Sequence, residues 1–182
     1  ISLKDNALGG AVDLSDIRNQ IDAIRIVHEK LYANKDISRI DFSDYIGDLL
    51  ATIFSTFAKR KVAVEINTGN HTILTKSAIA LGLIINEIAT NAIKHGFLPD
   101  KKAEFKVELQ KDTPNGVYIL TVSNNGRPFP EDVDLDHPET LGLRLISALT
   151  DQLGGTIELK RKPSPLFTIR FPLEKEKQPL SN

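Results

Sequence analysis

Glu87, Asn91, Lys94 and His95 place a carboxylate, an amide and two bases close together in the run Asn86-Glu-Ile-Ala-Thr-Asn91-Ala-Ile-Lys94-His95. On an α-helix, residues three and four positions apart lie one above the other, so these side chains lean the same way. Ile84, Ile85, Ile88 and Ala92 form the neighbouring apolar face, which would bury against a sheet and leave the polar strip at the edge of the core. A charged ligand can sit in such a seam, and a nucleotide is the candidate. Alone, a Glu-Asn pair on a helix is usually solvated surface. Its weight depends on what else the chain carries and in what order.

The elements that must position the strip can be read from periodicity. From Ala11 to Tyr32, apolar residues at Leu14, Ile17, Ile21, Ile24 and Leu31 predict a helix, and Leu8-Gly9-Gly10 before it is a break that could join it to an earlier helix in a hairpin. After the turn Ala33-Asn34-Lys35-Asp36, Ser43 is the expected cap of a helix through Tyr45, Ile46, Leu49, Leu50, Ile53 and Phe57. Val62, Val64 and Ile66 alternate as in a half-buried strand, Thr68-Gly69-Asn70 turns the chain, and Thr75 or Ser77 caps the helix that carries the strip. Two alternating runs, around Phe105, Val107 and Leu109 and from Val117 to Ser123, flank Pro114-Asn115-Gly116 and predict a hairpin. Asn124 to Glu139, with three prolines, five acidic residues and no period, reads as a long mobile loop. Leu141, Leu145, Ala148, Leu149 and Leu153 predict a helix stopped by Gly154-Gly155, and strands follow at Thr156–Leu159 and Leu166–Phe171.

That order fits an α+β fold: a two-layer sandwich with a mixed, mainly antiparallel sheet covered by helices on one face, preceded by a helical hairpin remnant. The division expected is a partial helical hairpin over 1–40, which the resemblance described below would make a dimerisation hairpin, a main domain over 41–175 and a flexible tail over 176–182. No glycine-rich fingerprint follows a strand, which argues against a doubly wound dinucleotide fold.

Composition narrows the classes further. The chain has 182 residues, 41% hydrophobic and 26% charged, enough for one full core and a small appendage. A net charge of −1 offers no global basic field for nucleic acid or an anionic membrane, so nucleic acid is not an expected partner. Without cysteine there are no disulfides or thiolate metal sites, which fits a reducing cytoplasm. No apolar run is long enough to span a bilayer. A start at Ile1 and the absence of methionine suggest a piece of a longer polypeptide.

Asn86 to His95 resembles the N box of the histidine-kinase and gyrase ATPase superfamily, whose ATP-binding unit is the Bergerat fold. Thr140-Leu-Gly142-Leu-Arg144-Leu-Ile resembles its second glycine box, and Val122-Ser-Asn124-Asn125-Gly126 stands where the first belongs. Upstream, Ile24 to Tyr32, with His28, and Ile40 to Tyr45 resemble the segment of the HisKA_2 histidine-kinase subfamily. The resemblance covers nearly the whole chain in the right order.

The resemblance implies an ATP-Mg site. Asn91 would hold the magnesium ion, with ATP phosphates and water completing its shell. Lys94 would face the phosphates and His95 would contact the nucleotide. Glu87 would have a positioning role toward magnesium and the acceptor. Gly126 and Gly142 would let backbone approach the nucleotide, and the amides of Leu143 and Arg144, after Thr140, would open a helix toward phosphate. Three departures from the family pattern stand out. Asn124 replaces the aspartate that accepts from the adenine amino group, Pro128 replaces a glycine, and Ser164-Pro165 replaces a Gly-Thr pair.

The function so implied is the ATP-binding catalytic region of a two-component sensor histidine kinase, a cytoplasmic, homodimeric protein whose partners are ATP, a phosphoacceptor histidine on the dimerisation helix and a response-regulator receiver domain. His28, His71, His95 and His137 do not fit the acceptor, which the subfamily carries on the first helix of the hairpin. The chain by itself is therefore expected not to autophosphorylate. The alternatives are a degenerate nucleotide-binding or protein-interaction module of the same fold, suggested by Asn124 and Pro128, and an anti-sigma-type serine kinase.

Overall fold

The carboxylate of Asp41 accepts hydrogen bonds from the backbone N–H groups of Ser43 at 2.8 Å and Asp44 at 3.1 Å, and so starts helix α1, Phe42–Phe57. The cap expected at Ser43 is thus two residues earlier. In the computed structural model, the residues described are Arg25, Glu29, 38–135 and 137–173. Arg25 and Glu29 are helical and ion-paired at 2.8 Å. The rest of the expected helix over 11–32, the remainder of the hairpin remnant up to residue 37 and the tail over 176–182 lie outside the described residues.

Strand β1, Arg39–Asp41, pairs antiparallel with β3, Thr72–Leu74, in a two-stranded sheet. The main sheet has β2 (Val62–Asn67), β4 (Ala103–Asp112), β5 (Val117–Asn124), β6 (Thr156–Lys160) and β7 (Leu166–Pro172), in the order β2-β4-β5-β7-β6. Among the described residues the β2–β4 pairing is parallel and the other three of this sheet are antiparallel, so the sheet is mixed and mainly antiparallel as expected. Gly116, at φ +66, lets the β4–β5 hairpin close.

Strand alternation gives the sheet one apolar face. Phe105, Val107 and Leu109 on β4, Tyr118, Leu120 and Val122 on β5, and Phe167, Ile169 and Phe171 on β7 are all buried. Onto that face pack α1, α2 (Thr75–Asn91) and α3 (Leu141–Gln152). Ile46, Leu49, Leu50 and Ile53 of α1 are fully buried, as are Leu81, Ile84 and Ile85 of α2. Truncating any one of these to Ala would cost about 2–5 kcal/mol. Helix α2 begins directly out of β3 with Leu74 at its cap and no side-chain cap bond, so neither Thr75 nor Ser77 caps it. The β1–β3 pairing sets its start instead.

At its far end α2 widens into a π-helical turn, Ala92–Gly96, where the Phe97 N–H donates to the Ala92 carbonyl at 3.0 Å. Each such widening rotates the following side chains off the 3.6-residue stripe, and π turns recur at functional sites. Here it carries Lys94 and His95.

Candidate functional site

The buried stretch of α2 and its π turn form one wall of a cavity of about 440 Å³ that opens between the helices and the end of the sheet. Asn86, Glu87, Asn91, Lys94 and His95 all line it. Asn86 and Glu87 are 3% and 7% exposed, so the polar strip runs from inside the core to the surface, where Lys94 and His95 are exposed. The Asn86 side-chain oxygen is buried with no hydrogen-bond partner among the described residues, while its amide nitrogen reaches the Glu87 carboxylate at 3.5 Å. A buried acceptor left unpaired costs about 1–3 kcal/mol, a burden that a ligand can relieve.

The second wall comes from β5. Tyr118, Leu120, Val122 and Asn124 face inward by alternation, which brings Asn124 to the cavity as the last residue of the strand. Its side-chain oxygen accepts from the Gly126 N–H at 2.9 Å, and because that N–H can only donate, the amide orientation is determined. Asn125 is an anchor: its side chain accepts from the Glu104 N–H at 3.0 Å and donates to the Lys102 carbonyl at 2.8 Å. Gly126 does not line the cavity. A β-carbon there would stand 2.5 Å from the Gly96 carbonyl oxygen, so this glycine lets the β5 turn close on the π turn, a contact sealed by Arg127 N–H to Gly96 O at 2.9 Å.

The third wall is the start of α3. Thr140 caps the helix, its hydroxyl accepting from the Leu143 N–H at 3.4 Å and its carbonyl from the Arg144 N–H at 3.0 Å. The Leu143 and Arg144 amides, expected to face phosphate, are thus both turned to Thr140, and it is Leu141 and Gly142 that stand in the first turn, where a helix has no internal partner for its N–H groups. Those amides, with the positive helix end, suit an anion. Thr140, Leu141, Gly142 and Leu143 line the cavity. Arg144 does not; its Nε donates to the Pro138 carbonyl at 2.9 Å and braces the loop.

The fourth wall escaped the motif reading. Phe129, Pro130 and Val133 from the 124–139 loop and Phe167 from β7 add an apolar lining, in which the Phe129 and Phe167 rings meet. An aromatic residue between Pro128 and Pro130, directly after a glycine turn, was the available signal. The cavity is thus lined both by the polar strip and α3 terminus and by these apolar residues, a combination suited to a molecule with a flat apolar group and an anionic one.

Hard oxygen donors for a cation are present on the α2 wall: the Asn86 and Asn91 amides and the Glu87 carboxylate. No cluster of three or more His, Cys, Asp or Glu residues that could hold a metal alone occurs among the described residues. The donor set fits an ion such as magnesium that takes most of its oxygen ligands from phosphate and water.

Comparison with known proteins decides the family. The profile of the histidine kinase-, DNA gyrase B- and HSP90-like ATPases matches residues 76–175, more than half of the chain and all four walls. The chain belongs to this ATPase family. A second profile, the HisKA_2 histidine kinase segment, matches residues 5–57 of this ATPase-family chain. The chain is 23% identical to a blue-light-activated histidine kinase 2 of Erythrobacter litoralis over 97% of its own length and 53% of that protein's. It is 28% identical to the sensor histidine kinase PdtaS of Mycolicibacterium smegmatis over 80% of its length and 29% of the relative's. The chain therefore spans about half or less of the curated relatives it matches. In structure it is similar to the histidine kinase domain of an Erythrobacter litoralis blue-light-activated kinase, with a TM-score of 0.72 at 21% identity, covering 86% of this chain and 74% of that one. At that identity the likeness shows the fold.

Proposed function

We propose that the chain is the ATP-binding catalytic region of a two-component sensor histidine kinase, presenting Mg-ATP for phosphoryl transfer to a histidine on a dimerisation helix. The observation that carries this reading is the meeting of Asn91, Lys94, Asn124, Thr140 and Gly142, from three separate elements, around one cavity that Phe129, Val133 and Phe167 also line. In this reading the catalytic domain covers 41–175 and follows a hairpin remnant over 1–40.

Each group has a separate task. The Lys94 ammonium and the first-turn amides of α3 attract and orient the phosphates. Asn91 and Asn86 offer amide oxygens to the magnesium ion, which when bound offsets the negative charge of the phosphates. Glu87, held inside the core, is a fixed carboxylate that positions the reacting groups. Phe129, Val133 and Phe167 enclose the base and exclude water from it. Because phosphoryl transfer needs mainly positioning and charge stabilisation, these roles suffice for donor presentation.

Among the described residues no helix is long and apolar enough to cross a membrane. A cytoplasmic homodimer handing its phosphoryl group to a response-regulator receiver domain is the setting the reading implies. The test uses ATP labelled on its γ-phosphate. With a hairpin segment bearing an acceptor histidine supplied to the chain, label stable to base and lost in acid is expected; the chain alone should stay unlabelled. Label stable to acid would point to a serine kinase and contradict the proposal.

A further inference from the structure

The apolar wall of the cavity is supplied by the 124–139 loop, yet its hold comes from a residue outside the cavity. Arg161, immediately after β6 and half-buried, sends both arms of its guanidinium into that loop. Nη1 donates to the Pro130 carbonyl at 2.6 Å and Nη2 to the Val133 carbonyl at 2.6 Å. Its own carbonyl accepts from the Phe129 N–H at 3.0 Å. The guanidinium carbon stands over the Phe129 ring, 5.9 Å from the centroid, and that ring meets Phe167 edge-on at 5.7 Å and 90°. Next to it, Lys162 pairs with the Glu131 carboxylate.

These contacts bear on a loop that its composition marks as mobile. Beyond Phe129, Val133 and Leu135 the segment is mostly proline and acidic residues with little else to bury, so it should be held weakly by itself. A planar fork with fixed N–H directions can satisfy two carbonyls at once and lie over an aromatic ring, and a lysine ammonium cannot reproduce that geometry.

We propose that Arg161 is a positioning residue that holds Phe129, Pro130 and Val133 as a standing wall of the cavity before any nucleotide arrives. The proposal rests on the nucleotide reading above and adds where the affinity comes from. Part of the loop is ordered by the protein in advance, so the ligand does not bear that ordering cost.

The test compares the unaltered chain with Arg161→Ala and Arg161→Lys by amide hydrogen exchange without ligand and by calorimetric titration with Mg-AMPPNP. In Arg161→Ala, exchange over residues 127–135 should rise about tenfold or more while α1 and α2 keep their protection, and the Kd should rise about tenfold. Arg161→Lys should behave nearly as the alanine variant, and it serves if the alanine variant folds poorly. A lysine variant with wild-type exchange and affinity would overturn the fork argument, and unchanged exchange in both variants would overturn the clamp. Faster exchange with an unchanged Kd would overturn the positioning role. Failure of the unaltered chain to bind Mg-AMPPNP would overturn the nucleotide reading and the positioning role with it, with ligand-free exchange still reporting on the clamp separately.

Discussion

Gly142, at the start of α3, lies against the buried carboxylate of Glu87 on α2, so closely that a β-carbon at 142 would stand 2.5 Å from Glu87 Oε2. Two motifs far apart in the chain therefore meet at one contact. The glycine lets the positive end of α3 approach the carboxylate wall, so that both border the same cavity.

Replacing Gly142 with Ala should consequently move the Glu87 carboxylate. The atom it meets is the end of a flexible side chain, so the structure can adjust, and the expected stability loss is about 1 kcal/mol. Nucleotide affinity should fall about tenfold because both walls shift. Denaturant unfolding and titration with Mg-AMPPNP read the two effects. Undiminished affinity would place Glu87 outside the binding geometry.

Gly126→Ala should be the more damaging change to the fold. Its β-carbon would meet the Gly96 backbone, with oxygen at 2.5 Å and carbonyl carbon at 2.6 Å, and backbone cannot swing aside as a carboxylate can. A loss of about 1–3 kcal/mol is expected in urea unfolding. A variant less affected than Gly142→Ala would contradict the close approach of the β5 turn to the π turn.

At Asn124 the side-chain oxygen is committed to Gly126 at 2.9 Å, which leaves the amide hydrogens as the group offered elsewhere. Aspartate would keep the bond to Gly126 and add a second acceptor for the adenine amino group. Asn124→Asp should raise the preference for ATP over ITP, whose base carries a carbonyl at that place, by about tenfold, the worth of one hydrogen bond. Competition titrations measure the ratio. An unchanged ratio would remove the base from the neighbourhood of residue 124.

Much of this was legible in the sequence, for physical reasons. Alternation over Phe105, Val107 and Leu109 gave the inward face of β4 and marked β5 as a strand, and the apolar stripe of α2 put Glu87 and Asn91 beside the core. The short strands β1 and β3 were missed, since three residues carry no detectable period. The caps were misplaced because Asp41 lies just outside the periodic run and because Leu74 starts α2 through strand pairing. A spacing argument at 3.6 residues per turn also could not foresee the π turn under Lys94 and His95. Phe129 and Val133 sit in an aperiodic loop whose anchor, Arg161, is distant in sequence. Asn86 was read within its motif but not as a buried orphan acceptor, a property only packing reveals.

The central claim is that the α2 strip holds a magnesium-dependent nucleotide, and Asn91 tests it most directly. Asn91 is half-buried at the helix end, so Asn91→Ala should preserve the fold, with a stability change of about 1 kcal/mol or less. The measurement is a calorimetric titration with AMPPNP, with and without magnesium, of the unaltered chain and the variant side by side. The expected result is magnesium-dependent binding by the unaltered chain and loss of that dependence in a folded Asn91→Ala variant. Magnesium-dependent affinity that is the same in both would contradict the account.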